Sequence, residues 1–292
     1  MGEKEETVLQ RSEKAEKSPS ELLSDRPIGF MDSGLGGLSV LKEALAIMPA
    51  EDFIYFGDSK NAPYGTKSEG EIRALTFAVV EKLLSQGIKG LAVACNTATA
   101  SAVKQLRIAY PDLAIVGIEP AIKPAVQRSH GGRILVMATP MTIAMEKYHR
   151  LLQRFGKNSD IVSVPCAGLM EFVEEGDFLS QDLDPYFEEH LSPYLTENVE
   201  TIVLGCTHYP FIRPQLQSFL DRVRSSDLAK IRIIDGSLGT AKELRRRLQE
   251  KDLLRKEDRK GEVIIQNSLE NEVMIERSRK LLRRETDTRE TD

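Results

Sequence analysis

LAVACNTATASAV (residues 91–103) and TIVLGCTHYP (residues 201–210) follow one plan: a short apolar run, a small residue, a cysteine, and a turn that carries threonine. Each apolar run is short and ends in turn residues, the pattern of a strand buried on both faces. In open α/β sheets ligands bind beyond the carboxyl ends of strands, so Cys95 and Cys206 fall where such a fold puts its chemistry. Two related domains facing each other would bring both thiols to one cleft.

Working outward, the rest of the chain alternates in the same way, which predicts an α/β protein. IGFMDSG (28–34) reads as a strand, GGLSVLKEALAIM (36–48) as a helix stopped by Pro49, and FIYFGDS (53–59) as a second strand. A long helix follows Tyr64 and runs to Gly87, with Ile72, Leu75, Val79 and Leu83 in register, and a further helix leaves LAVAC at Thr97. AIVGIEP (114–120) is the next strand. The pattern then restarts: RILVMATP (133–140) and IVSVP (161–165) predict strands around one helix over 142–155, LMEFVEEG (169–176) a short helix or turn, and Asp184 to Asn198 another helix. RIIDGS (232–237) and EVIIQNS (262–268) predict late strands, and 269–282 a closing helix before a charged tail, 283–292.

Composition narrows the function classes. The 292 residues are 41% hydrophobic, enough for real cores, and 40 basic against 45 acidic residues leave a net charge of -5. That balance offers no basic surface for nucleic acid or an anionic membrane, and favours a small polar substrate as partner. Three widely spaced cysteines argue against a disulfide framework and a cysteine-rich zinc module, and fit a reducing cytoplasm. No apolar run approaches the ~18 residues of a membrane span, and no secretory signal is read at the start. Residues 1–25 predict a mobile polar extension with room for a short helix near Val8 and Leu9; Glu6 stands where N-myristoylation wants Ser or Thr.

A free cysteine after an apolar strand is by itself a small core hydrophobe. Beside Cys95, however, Asn96, Thr97 and Thr99 open a helix, whose orphan amides would lower a thiol pKa from ~8.5. Cys206 has Thr207 and His208 for company, and an imidazole two residues away can exchange protons with it. DSGLGG (32–37) lies between a strand and a helix and could cradle an anion, though it is neither a Walker A loop nor a full dinucleotide fingerprint. Asp32 could orient an ammonium or relay a proton, or simply cap the turn. NAPYGTKS (61–68) closes on a ligand or only connects elements; Thr139 and Thr142 in ATPMT could bind a carboxylate or cap a helix. Glu174 and Glu175 read first as a solvated helix end, and Cys166, lacking a Thr or His companion, as structural.

DSGLGG, NAPYG, ACNTA, GIEPAIKPA, ATPMT and GCTHYP occur in the order and spacing of glutamate racemases, and the chain resembles that family over about residues 28–282. The resemblance implies two flavodoxin-like domains related by pseudo-symmetry, with the active site at their interface: 26–118 plus 229–282, and 119–228. It implies that Cys95 and Cys206 exchange protons with opposite faces of the glutamate α-carbon, that Asp32 assists Cys95, and that His208 and the auxiliary acid Glu174 assist Cys206. Glu175 is the competing choice for that acid. Substrate-binding residues by the same match are Asp32, Ser33, Tyr64, Gly65, Asn96, Thr97, Thr207 and His208.

The implied function is reversible interconversion of L- and D-glutamate for peptidoglycan synthesis, with no cofactor and no metal, by a cytoplasmic homodimer. Some family members are activated by a peptidoglycan precursor through an N-terminal extension, and no motif here establishes that. Competing readings are a racemase for aspartate or another amino acid, a non-catalytic anion-binding protein, and a Cys-His hydrolase that would leave Cys95 without a role.

Overall fold

The computed structural model describes residues 19–175, 182–223 and 230–283. The expected helix near Val8 and Leu9 and nearly all of the charged tail lie outside the described residues. The first half of the chain runs α1 (Pro19–Ser24), β1 (Ile28–Asp32), α2 (Leu38–Ile47), β2 (Phe53–Gly57), α3 (Glu69–Leu84), β3 (Gly90–Val93), α4 (Asn96–Ala109) and β4 (Ala114–Gly117). The second runs α5 (Ile122–Arg128), β5 (Arg133–Ala138), α6 (Pro140–Ala144), α7 (Glu146–Phe155), β6 (Ile161–Pro165), α8 (Leu169–Glu175), α9 (Asp184–His190), β7 (Val199–Leu204), α10 (Arg213–Val223) and β8 (Arg232–Asp235). The chain closes with α11 (Ser237–Glu250), β9 (Val263–Asn267) and α12 (Glu272–Arg283).

Two all-parallel sheets result, ordered β4-β3-β1-β2-β9 and β6-β5-β7-β8. With β9 set aside, the first sheet repeats the order of the second, so β1 corresponds to β5 and β3 to β7. This is the flavodoxin-like order, and in each sheet the strand order reverses beside the first strand. β1 to β3 are buried along their whole length, as expected for strands covered by helices on both faces. The correspondence extends to single backbone bonds: the Ala94 amide donates to the Met31 carbonyl at 2.8 Å, and the Gly205 amide to the Met137 carbonyl at 2.7 Å. Each bond fixes the residue just before one of the cysteines.

The structure departs from the expected division of the chain at β8. Residues 229–282 were expected to complete the first domain, yet β8 pairs in parallel with β7, Thr201 beside Arg232, and extends the second sheet. The crossover through α10 is short, which leaves β8 next to the strand it came from. The return to the first half is made by α11, a helix the sequence reading did not find. Its Ala241, Leu244 and Leu248 are fully buried, and it packs on α2.

Other differences have local causes. The expected helix over 142–155 is broken at Met145, whose extended backbone (φ -74°, ψ 138°) separates α6 from α7. The helix from Asp184 stops at His190, short of Asn198, because Pro193 follows within a tight turn. The end of the expected mobile extension is tied to the body: Lys89 Nζ, buried in an ion pair with Glu51, also donates to the Ser24 carbonyl, and Arg255 pairs with Asp25.

Leu244→Ala should therefore destabilise the protein by about 2–5 kcal/mol, the cost of an emptied core site. Urea unfolding would read this as a lower midpoint at unchanged slope; an unshifted midpoint would mean that α11 is not part of the cooperative core.

Candidate active site

The site is built around the turn between β1 and α2. Asp32 ends β1 fully buried, with its Oδ2 accepting the Gly34 amide at 2.9 Å. Tyr55, on the neighbouring β2, donates its hydroxyl to the Gly34 carbonyl at 2.8 Å and so holds the next peptide of the turn. Residues of the second half close on this turn. Thr207 Oγ1 reaches Asp32 Oδ1 at 3.4 Å, Glu174 Oε1 accepts the Leu35 amide at 2.7 Å, and Ser39 Oγ lies between the carbonyls of Gly36 (2.8 Å) and Thr207 (3.0 Å).

Cys95 caps α4, its sulfur accepting the Ala98 amide at 3.4 Å and lying 3.5 Å from Ser33 Oγ. Sequence logic expected the helix N-terminus to lower this thiol's pKa. The structure reverses the direction: burial first, then the charge of Asp32, push Cys95 up to about 12, against the smaller pull of the Ala98 amide and Ser33. The Cys206 charge adds to the rise, so the two sulfurs feel one another. They nevertheless belong to different apolar clusters, Cys95 beside Ser33 and Cys206 next in the chain to Thr207, whose hydroxyl reaches Asp32.

Cys206 Sγ lies 3.6 Å from His208 Nδ1, and His208 Nε2 lies 2.7 Å from Glu174 Oε1. Burial disfavours the imidazolium, but hydrogen bonds to Cys206 and Glu174 outweigh it and raise His208 well above its ordinary range. Burial likewise works against the Glu174 carboxylate; the His208 hydrogen bond and charge, the Leu35 amide and Arg277 overcome it and hold the acid below its usual range. The Gly36 amide also points at Nε2, at 3.2 Å, but the shorter carboxylate contact assigns that nitrogen a proton. His208 thus links Cys206 to Glu174, with Nδ1 facing the sulfur. Asp32 is raised instead, by burial that His208 and the Gly34 amide only partly offset.

Of the acidic pair, Glu174 faces this network, whereas Glu175 is exposed. Tyr64 is buried with its hydroxyl donated to Asp58 at 2.7 Å, so it presents backbone rather than phenol, and the adjoining Gly65 lies against Thr139 and Met141. Asn96 and Thr97 begin α4; Thr97 Oγ1 is 3.3 Å from Thr142 Oγ1, which accepts from Thr139 at 2.9 Å. Asn96 Oδ1 is buried without a hydrogen-bond partner among the described residues, an acceptor left unmet. Cys166 stays in the core, pushed up to about 12 chiefly by burial, in keeping with a structural role. Sequence reasoning missed Tyr55, Ser39 and Asp58, which hold the turns and carry no motif of their own.

The chain that places two thiols, each at the end of the third strand of its sheet, beside one buried turn matches a known family. The model for Asp/Glu/hydantoin racemases matches residues 28–244. The chain belongs to that family. A glutamate racemase of Clostridium botulinum is 51% identical over 258 residues, covering 88% of this chain and 97% of the relative. The crystal structure of the Francisella tularensis glutamate racemase in complex with D-glutamate superposes with a TM-score of 0.75 at 30% identity, covering 89% of this chain and 95% of that one. The Escherichia coli glutamate racemase, solved with L-glutamate and the activator UDP-MurNAc-ala, gives 0.66 at 31% identity over 77% of this chain and 83% of that one. Membership of the family makes the chain an amino-acid racemase, an isomerase. Among the described residues no helix is long and apolar enough to cross a membrane.

The direction found for Cys95 has a measurable consequence. At pH 8 iodoacetamide should alkylate Cys95 at least ~100-fold more slowly than a free thiol of pKa ~8.5, and the rate should go on rising above pH 9. Peptide mass spectrometry follows it; a plateau near pH 9 would contradict the assignment.

Proposed function

We propose that this protein interconverts L- and D-glutamate by two-base proton transfer between Cys95 and Cys206. The carrying observation is the pair of cysteines at equivalent strand ends, both beside the one turn that bears Asp32. Glutamate as substrate is supported by the curated relatives and by the D-glutamate bound in the F. tularensis enzyme.

In one direction the Cys95 thiolate takes the α-proton: the C–H bond breaks, an S–H bond forms, and the electron pair remains on the α-carbon. The Cys206 thiol then gives its proton to the opposite face and becomes a thiolate. The reverse reaction exchanges the roles. A carbon acid is far weaker than a thiol, and each unit of mismatch costs ~1.4 kcal/mol. A buried, high-pKa thiolate is accordingly a better-matched base than one in water, and fixed donors must stabilise the carbanion as it forms. Asp32 takes the proton that Cys95 must lose to become a base. His208, with Glu174 behind it, does the same for Cys206, the imidazolium stabilising that thiolate.

Ser33, Tyr64, Gly65, Asn96, Thr97 and Thr207 line the substrate in this reading. The unmet Asn96 acceptor suits an ammonium hydrogen, and the Thr hydroxyls suit carboxylates. The chemistry calls for no cofactor or metal, since every proton has a protein acceptor. The product's place is peptidoglycan synthesis, in the cytoplasm, and the protein acts as a homodimer; the activator of the E. coli relative makes a peptidoglycan precursor the effector to test.

Racemisation in deuterium oxide provides the test. The parent should place solvent deuterium at the α-carbon of the product enantiomer, and Cys95→Ser and Cys206→Ser should each nearly abolish turnover. Normal turnover by either variant would sink the mechanism, and faster turnover of aspartate than glutamate would reassign the substrate. Glu174→Gln should lower kcat by about 10- to 100-fold, while Glu175→Gln stays within about twofold, in a coupled assay of both directions. The opposite ranking would transfer the auxiliary role to Glu175.

A further inference from the structure

Glu174 is the second-last residue of α8, where the carbonyls of the final turn have no partner within the helix. The Glu174 carbonyl has one from elsewhere: Nη1 of Arg277, on α12. The helix α12 packs on β9 and α2, elements of the first half, and anchors there through Met274, Ser278 and Leu281. Arg277 thus reaches across the domain interface to the residue whose side chain accepts from both Leu35 and His208. A guanidinium at a helix C-terminus also opposes the partial negative charge of the last carbonyls.

We infer that Arg277 is a positioning residue for racemisation: by fixing the end of α8 from the first half, it holds Glu174 against His208 and keeps the Cys206 side of the site charged and aligned. This rests on the proposed role of the Glu174–His208 pair. Arg277 does not touch the sulfur or the substrate, so it acts through Glu174. Its cation also favours the carboxylate form of Glu174, a contribution that adds to those of His208 and the Leu35 amide. The titratable and charged groups facing the pair are Cys206 on its own turn, Asp32 at the end of β1, Tyr55 on β2 and Arg277 on α12.

The structure fixes the sign. Removing the cation makes the Glu174 carboxylate less favourable and loosens its contact with His208, so the imidazolium loses support and titrates at lower pH. Arg277→Gln keeps a hydrogen-bond donor without the charge; Arg277→Lys keeps the charge. Both are compared with the parent and with Glu174→Gln by steady-state kinetics in each direction, and by NMR titration of the ring nitrogens in 15N-histidine-labelled protein. The His208 signals are assigned by their loss in His208→Asn.

Arg277→Gln is expected to lower kcat about tenfold with KM within about twofold, and to move the His208 midpoint down by about half a unit or more. Arg277→Lys should recover most of both. The inference is overturned if Arg277→Gln leaves kcat and the His208 midpoint as in the parent. It is equally overturned if kcat falls while the midpoint stays, or if both charge variants are impaired alike, since either result means a structural role alone. Should Glu174→Gln itself be fully active, the reading beneath fails as well; impairment of Glu174→Gln beside a normal Arg277→Gln removes only the inference drawn here.

Discussion

The site depends on how closely two backbones and an imidazole can approach at the β1–α2 turn. A methyl group at Gly34 would come within 2.0 Å of Glu174 Oε1, and one at Gly36 within 2.4 Å of His208 Nδ1. Real Cβ atoms do not make such contacts, so a Cβ at either position would drive the Glu174 carboxylate or the His208 ring from its place. Without side chains there, the Leu35 amide can face the Glu174 carboxylate, and the second half of the molecule can seat its imidazole against the first. The turn's charge chemistry is therefore a consequence of missing bulk: the polar groups meet because nothing stands between them.

The two halves are alike in backbone and unlike in equipment. Counting along corresponding strands, the position of Asp32 in the first sheet is taken by Ala138 in the second, and the position of His208 after Cys206 is taken by Thr97 after Cys95. A two-base racemase asks for mirrored placement of its sulfurs, which repeated strand order supplies. It does not ask for mirrored proton reservoirs. In the proposed mechanism one thiol is served by a carboxylate whose own pKa is raised, the other by an imidazole linked to a second carboxylate.

Much of this was legible because strands in parallel sheets are continuously apolar and end abruptly in polar turns, which made the two cysteine turns stand out. Helix α11 was not legible for the opposite reason. Its first turn, SLGT, holds a glycine, and its buried stripe of Ala241, Leu244 and Leu248 is narrow within a run of arginines and glutamates. The direction of the Cys95 pKa was misread because local neighbours report the helix amides, whereas burial and the charge of Asp32 arrive through the fold. The same holds for the choice between Glu174 and Glu175. Only the phase of α8 against the β1–α2 turn turns one carboxylate inward and leaves its neighbour exposed.

The electrostatics of the site suit an amino-acid zwitterion. Asp32 is a fully buried carboxylate hydrogen-bonded to the Gly34 amide and the Thr207 hydroxyl, and its charge is a principal reason, after burial, that the Cys95 proton is held so firmly. An amino acid's ammonium placed beside Asp32 would cancel part of that field at the sulfur and supply a donor for the unmet Asn96 oxygen. The Cys95 thiol would then lose its proton more readily with substrate present than without it. In the proposed mechanism, burial would keep the base strong enough for a carbon acid, while the substrate's own charge would make the thiolate accessible at the moment it is needed. A cysteine exposed to solvent, with its charge screened, would have the second property without the first.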